Sequence, residues 1–261
     1  MTDLTGRVVL LTGASGGIGA AIATILGRAG ASVVAHHLDA DDRAGAEAAL
    51  ADVPPDRKLF LPADFAEPKA ADPLWRAALD WRGRVDALVL NAAITRMGDG
   101  FEDPEEDWEE SWDAQWRVNV LAPARLMRGA VRHWTARDRA LGDGVLVTMS
   151  SWNAQRGSSS PRQIAYAATK AAIKATAQTV ARGYARQGVL SYVIAPGIVR
   201  AGMSLEFART LGDEGGITAG LQMGEWVPPD DIGHLVAFLA TGKARHLTGA
   251  TLDVNGATYV R

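Results

Sequence analysis

"VVLLTGASGGIGAAIATILGRAGASVV", residues 8–34, decides the fold. An apolar, β-branched run leads into a glycine-rich turn, a helix-forming stretch follows, and a second apolar run closes the segment. Gly13, Gly17 and Gly19 supply a tight turn, close approach of backbone to a pyrophosphate, and close packing of helix on strand. The helix N-terminus faces the turn, and its dipole favours an anion there. The alternative is a glycine-rich turn that holds no ligand, but strand, helix and second strand all supply the context a nucleotide site requires.

The same alternation continues along the chain. Strands are expected at 7–13, 31–37, 58–64, 85–93, 144–151, 189–197 and 250–256, separated by longer alanine-rich segments. Most of these runs are apolar throughout, as expected for parallel strands covered by helices on both faces. With no linker and no internal repeat, residues 1–261 are expected to form one α/β domain. It would be a doubly wound Rossmann fold of about seven parallel strands. Two segments break the rhythm. The acidic stretch 98–120 carries Trp108, Trp112 and Trp116 at four-residue spacing, which suits helix packing or a subunit contact. The glycine-rich stretch 200–226, with Met203, Leu205 and Phe207, suits a mobile substrate lid.

Composition narrows the function. A chain of 261 residues that is 48% hydrophobic can bury a large core. Its formal charge of −3 provides no global field for nucleic acid or an anionic membrane. No cysteine is present and the five histidines show no HExxH-like spacing, so no metal site is expected. The first residues lack the zones of a signal peptide, and no apolar run approaches the ~18 residues of a membrane span, which makes a soluble cytoplasmic protein the expectation.

The stretch "IAYAATKAAIKATAQTVARGYARQG", 164–188, reads as a helix with Tyr166 and Lys170 one turn apart on one face. A cation beside a phenol favours its ionised form, so the pair suits acid/base chemistry, although an ordinary amphipathic helix would also contain it by chance.

Taken in order, "TGASGGIG", "LNAAI" (90–94), "VNV" (118–120), "SS" (150–151), "YAATK" (166–170) and "APG" (195–197) resemble the short-chain dehydrogenase/reductase family almost end to end. That resemblance implies a single-domain enzyme moving a hydride between NAD or NADP and an alcohol/carbonyl pair. It places Gly13, Ser15, Gly16, Gly17, Ile18 and Gly19 against the cofactor, with Asp64 and Phe65 at the adenine. Asn91, Ala92 and Ala93 would run along the adenosine ribose, and Pro196, Gly197 and Val199 would lie near the nicotinamide. Tyr166 becomes the general acid or base, and Lys170 its partner and a holder of the nicotinamide ribose. Ser151 becomes a donor to the substrate oxygen, and Asn119 the holder of a relay water. Ser151 and Tyr166 stand two residues further apart than is usual in the family, so Asn153 is an alternative to Ser151.

At the end of the second strand, where a carboxylate would select NAD, this chain has His37, next to His36; Asp39, Asp41 and Asp42 follow closely. The signals conflict, with a slight lean to NADP(H). Arg96, Trp152, Asn153, Arg156, Gln163 and Met203 are candidate substrate residues for a small alcohol or ketone. Two alternatives stand: a 3-oxoacyl-carrier-protein reductase, docking through Arg125, Arg128 and Arg132, and a dinucleotide-binding regulator without turnover. The resemblance also implies a homo-oligomer, dimer or tetramer.

Overall fold

The computed structural model describes residues 2–96, 98–136 and 144–261, with backbone alone at positions 207, 210 and 211. The side chain of Phe207 therefore lies outside the described residues. Seven strands form one parallel sheet: β1 (Val8–Leu11), β2 (Ser32–His37), β3 (Lys58–Pro62), β4 (Ala87–Leu90), β5 (Gly144–Met149), β6 (Val189–Pro196) and β7 (Thr251–Val254). Each falls inside a segment expected from the sequence. Their order across the sheet is β3-β2-β1-β4-β5-β6-β7, so the winding reverses between β1 and β4. In open α/β sheets the crevice outside that reversal is where ligands bind.

Helices alternate with the strands. The first half carries α1 (Gly17–Arg28), α2 (Arg43–Ala49), α3 (Ala71–Arg82), α4 (Glu105–Trp116) and α5 (Ala122–Thr135). The second carries α6 (Asn153–Arg156), α7 (Ile164–Tyr184), α8 (Gly202–Leu211), α9 (Glu214–Ala219) and α10 (Pro229–Ala240). Successive side chains on a strand face opposite ways, and the core divides accordingly. Val9 and Leu11 meet Ile22, Leu26, Ile232 and Val236 of α1 and α10. Val8 and Leu10 join Leu126, Trp134, Ile173 and Val180 of α5 and α7 on the other face. Apolar layers on both sides explain why most strand positions are apolar on both faces.

Two features bear on the site. Between α4 and α5 the helix widens into a π turn over Arg117–Leu121, which carries Asn119; such bulges mark functional positions in many helices. The glycine-rich segment after β6 folds into the short helices α8 and α9, whose inner side meets Trp152, Leu221 and Trp226 in a small apolar cluster. Trp108 and Trp112 pack against each other with ring centroids 5.5 Å apart, while Trp116 is 40% exposed. Among the described residues no helix is long and apolar enough to cross a membrane.

Candidate active site

A cavity of about 650 Å³ opens at the carboxyl ends of β1 and β4, where the winding reverses. One end is the turn into α1, where Gly13, Ser15, Gly16, Gly17, Ile18 and Gly19 all line the wall. Space is the reason for two of these glycines. A Cβ on Gly19 would collide with the Gly13 carbonyl oxygen, and one on Gly13 would lie 3.0 Å from Ala92 Cα. Asn91 Nδ2 donates to the carbonyls of Thr12 (3.2 Å) and Gly13 (3.0 Å), and Thr12 Oγ1 accepts from the amides of Asn91 (3.0 Å) and Ala92 (3.1 Å). The ends of β1 and β4 are thereby stitched together. The first-turn amides of α1 have no partner within the helix, so the turn fits a pyrophosphate.

The next wall comes from Asp64 and Phe65 after β3, and from Ala92 and Ala93 after β4. His36 lies flat on Phe65, with ring centroids 4.4 Å apart and planes 6° apart. Of two adjacent strand residues only one can face this way, and His36 is the one that lines the cavity. His37, the residue expected there from the sequence, is not among the lining residues. It is buried, with Nδ1 2.6 Å from the Asp39 carbonyl oxygen. The rim is completed by Leu38 and Asp42. Asp42 Oδ2 accepts from Ser15 Oγ at 2.6 Å and from the Leu38 amide at 3.0 Å.

The opposite end collects Ser151, just past β5, with Tyr166 and Lys170 from α7. The Ser151 side chain is close enough to the Tyr166 phenol to lower its pKa, and Ser151 Oγ accepts from the Asn153 amide at 3.1 Å. Asn153 thus meets the serine through its backbone, and it does not line the cavity. Ser150 turns the other way, its Oγ donating to the Lys170 carbonyl at 2.9 Å. Lys170 Nζ donates to the Met149 carbonyl at 3.1 Å and sits 5.8 Å from the Tyr166 ring centroid. Tyr166 is partly open to the cavity, yet the dense surroundings push its phenol up to about 12, with the Ser151 side chain opposing. Burial pulls the Lys170 ammonium down to about 8. At neutral pH the phenol therefore keeps its proton and can donate it.

Asn119 is buried behind this end. Its Oδ1 accepts from the Ile94 amide at 2.9 Å, while Nδ2 donates to the Ile94 carbonyl (2.9 Å) and to Thr169 Oγ1 (3.2 Å). The side chain clamps the segment after β4 to α7, so a relay water would have to meet its backbone.

The substrate candidates separate into two groups. Arg96 and Met203 line the cavity, as do Pro196, Gly197 and Val199; Arg96 also pairs with Glu110 at 2.6 Å. Trp152, Arg156 and Gln163 do not line it. Trp152 is 8% exposed within the cluster beneath α8 and α9, with the Arg156 guanidinium 4.3 Å above its ring. Gln163 Oε1 accepts from Ser158 Oγ at 3.0 Å, at the start of α7. Sequence reading did not single out Thr12, and it named His36 and Asp42 near the end of the second strand without giving either its place in the cavity wall. Strand alternation could have separated His36 from His37; nothing in the sequence ties Asp42 to Ser15.

Comparison with known proteins places this geometry. A family model described as enoyl-(acyl carrier protein) reductase matches residues 13–257. The 3-oxoacyl-[acyl-carrier-protein] reductase of Vibrio cholerae is 32% identical over 260 residues, covering 99% of both chains. Two solved structures resemble this one. A 3-ketoacyl-(acyl-carrier-protein) reductase of Brucella melitensis complexed with NADH gives a TM-score of 0.84 at 28% identity, over 99% of this chain and 100% of that one. A 3-oxoacyl (acyl-carrier-protein) reductase of Agrobacterium tumefaciens with NADP bound gives 0.84 at 29% identity, over 98% and 95%. The chain belongs to the short-chain dehydrogenase/reductase family of NAD(P)-dependent oxidoreductases.

Proposed function

We propose that this chain interconverts a small secondary alcohol and its ketone, with Tyr166 moving the proton. The observation that carries the reading is one cavity with a glycine turn fitted to a pyrophosphate at one end and Ser151, Tyr166 and Lys170 at the other. The nicotinamide, when bound, supplies or takes the hydride. During reduction the Tyr166 hydroxyl delivers its proton to the substrate oxygen. Ser151 donates to the same oxygen as charge develops on it. During oxidation the ionised phenol takes that proton back. Lys170 favours the ionised form electrostatically and would hold the nicotinamide ribose. Asn119 keeps the two walls in register. The test is a panel of ketones, sugars and alcohols followed by nicotinamide absorbance.

Three expected outcomes follow from this arrangement. Ser151→Ala should lower kcat/KM by about 10²-fold, the cost of one oxyanion donor, while Asn153→Ala retains most activity; the reverse ranking in steady-state assays would assign the donor to Asn153. The second outcome concerns pH. A phenol raised to about 12 is protonated at neutral pH, so oxidation should accelerate as pH rises through the alkaline range. Reduction should stay level around neutrality, and kcat/KM profiles in both directions check this. An oxidation rate flat across the alkaline range would contradict it.

The third concerns cofactor choice. The lean to NADP(H) agrees with the NADP-bound relative, whereas Asp42 adds a carboxylate to the rim that works against a 2′-phosphate. Asp42→Ser should therefore raise affinity for NADPH relative to NADH by about tenfold, one charge contact's worth. Fluorescence titration with both dinucleotides measures it, and an unchanged ratio would place the ribose elsewhere.

A 3-oxoacyl-carrier-protein substrate is the second reading, favoured by the named relatives and by Arg128 and Arg132, exposed on α5 with Arg125 beside them. Faster turnover of a carrier-bound than of a free 3-oxoacyl thioester would support it. The intact Tyr166/Lys170 pair speaks against a regulator without turnover. The reading further includes α8 and α9 as a substrate lid within a single domain, a homo-oligomer, and a cytoplasmic setting, all resting on the sequence and on family resemblance.

A further inference from the structure

We infer that His36 is a positioning residue for the dinucleotide, a single-tautomer strut that holds the glycine turn and the adenine-side wall at a fixed separation; this rests on reading the cavity as a dinucleotide site. The imidazole touches three residues in two segments, the glycine turn and the stretch after β3. Its Nδ1 accepts from the Gly13 amide at 3.0 Å, its Nε2 lies 2.8 Å from the Ala63 carbonyl oxygen, and its face covers Phe65. Gly13 N–H can only donate and the Ala63 carbonyl can only accept. Both partners therefore demand the same form, a neutral ring with its proton on Nε2. The ring is 3% exposed, and burial pulls its pKa from 6.5 down to about 4, against the Ala63 hydrogen bond. Its titratable neighbours are His37, which lowers that value further, and Asp42, which raises it.

The consequence lies in the turn. Gly13 is held through both of its backbone groups, its N–H by His36 and its carbonyl by Asn91. The amide of Ala14 is also taken, by the His36 carbonyl at 2.9 Å. The first two amides of the turn are thus unavailable to a phosphate, and the anion must be met by amides further along, whose height above the sheet the strut sets. The same ring backs Phe65 and itself lines the cavity. Phosphate contact and adenine contact are therefore coupled through one side chain.

The test uses dinucleotide affinity, read by quenching of the chain's tryptophans, together with steady-state kinetics on the full-length protein. His36→Phe keeps the stacked face and loses both hydrogen bonds. His36→Gln places an amide nitrogen near Nε2 and leaves Gly13 without an acceptor, whereas His36→Asn places an amide oxygen near Nδ1 and restores it. The Phe and Gln variants should raise the dinucleotide Kd and KM by about tenfold, the effect of one unmet buried donor. Their kcat at saturating dinucleotide and substrate KM should move less than about twofold, as expected when only the cofactor's seat has shifted. The Asn variant should recover most of the loss. If the Phe variant fails to fold, the Asn and Gln pair decides alone. The inference is overturned if the Asn variant binds no better than the Gln variant, or if a folded Phe variant binds as tightly as the unaltered protein. Absence of binding by the unaltered protein would instead overturn the dinucleotide reading beneath it.

Discussion

Tyr166→Phe is expected to lower kcat/KM by about 10³-fold, the middle of the range for general acid/base catalysis, while dinucleotide affinity changes little. Phenylalanine keeps the ring and its packing beside Lys170, so the cavity wall survives. The hydroxyl is what disappears, and with it both the proton and the group beside Ser151. Water can protonate a developing alkoxide in its place only with poor orientation, which is why a residual rate remains rather than none. Substrate turnover followed by nicotinamide absorbance, with binding measured separately, checks the prediction. A folded variant with unchanged turnover would remove Tyr166 from the chemistry.

The second large effect belongs to the opposite end. Gly19→Ala is expected to weaken dinucleotide binding about 100-fold, because a displaced turn loses on the order of two amide hydrogen bonds to a charged phosphate, each worth about 1.5 kcal/mol or tenfold. The added methyl would meet the Gly13 carbonyl and crowd Asn91 Nδ2. Both atoms belong to backbone or to a side chain already committed to the turn, so the turn itself must move. Overpacking of this kind also costs about 1–3 kcal/mol of stability. Thermal melts without ligand separate that loss from the loss of binding, and a variant that binds normally would mean the turn is not the phosphate seat.

Most of the architecture was legible in the sequence because parallel strands buried on both faces are apolar at most positions, so Val8–Leu11 and Val189–Pro196 announce themselves. The turn was legible for a related reason: spacing of glycines records where a Cβ has no room. What escaped was set by tertiary geometry. His36 and His37 are chemically identical letters, and only the pleat decides which one reaches the cavity. Asp42 looks like one of several acids until Ser15 is seen to bond it across the turn. Trp152 and Arg156 lie in sequence between serine and tyrosine, yet Trp152, just before the short helix α6, packs beneath α8 and α9, and Arg156 at the end of α6 covers its ring.

The most direct test of the central claim follows an isotope. The protein is incubated with a ketone that it turns over and with a nicotinamide dinucleotide carrying deuterium at the transferable position, and the alcohol product is read by mass spectrometry. The expected result is one deuterium on the carbinol carbon, formed by the unaltered protein and about 10³-fold more slowly by Tyr166→Phe. Product that carries no deuterium, or equal rates in the two proteins, would contradict hydride transfer assisted by the Tyr166 proton.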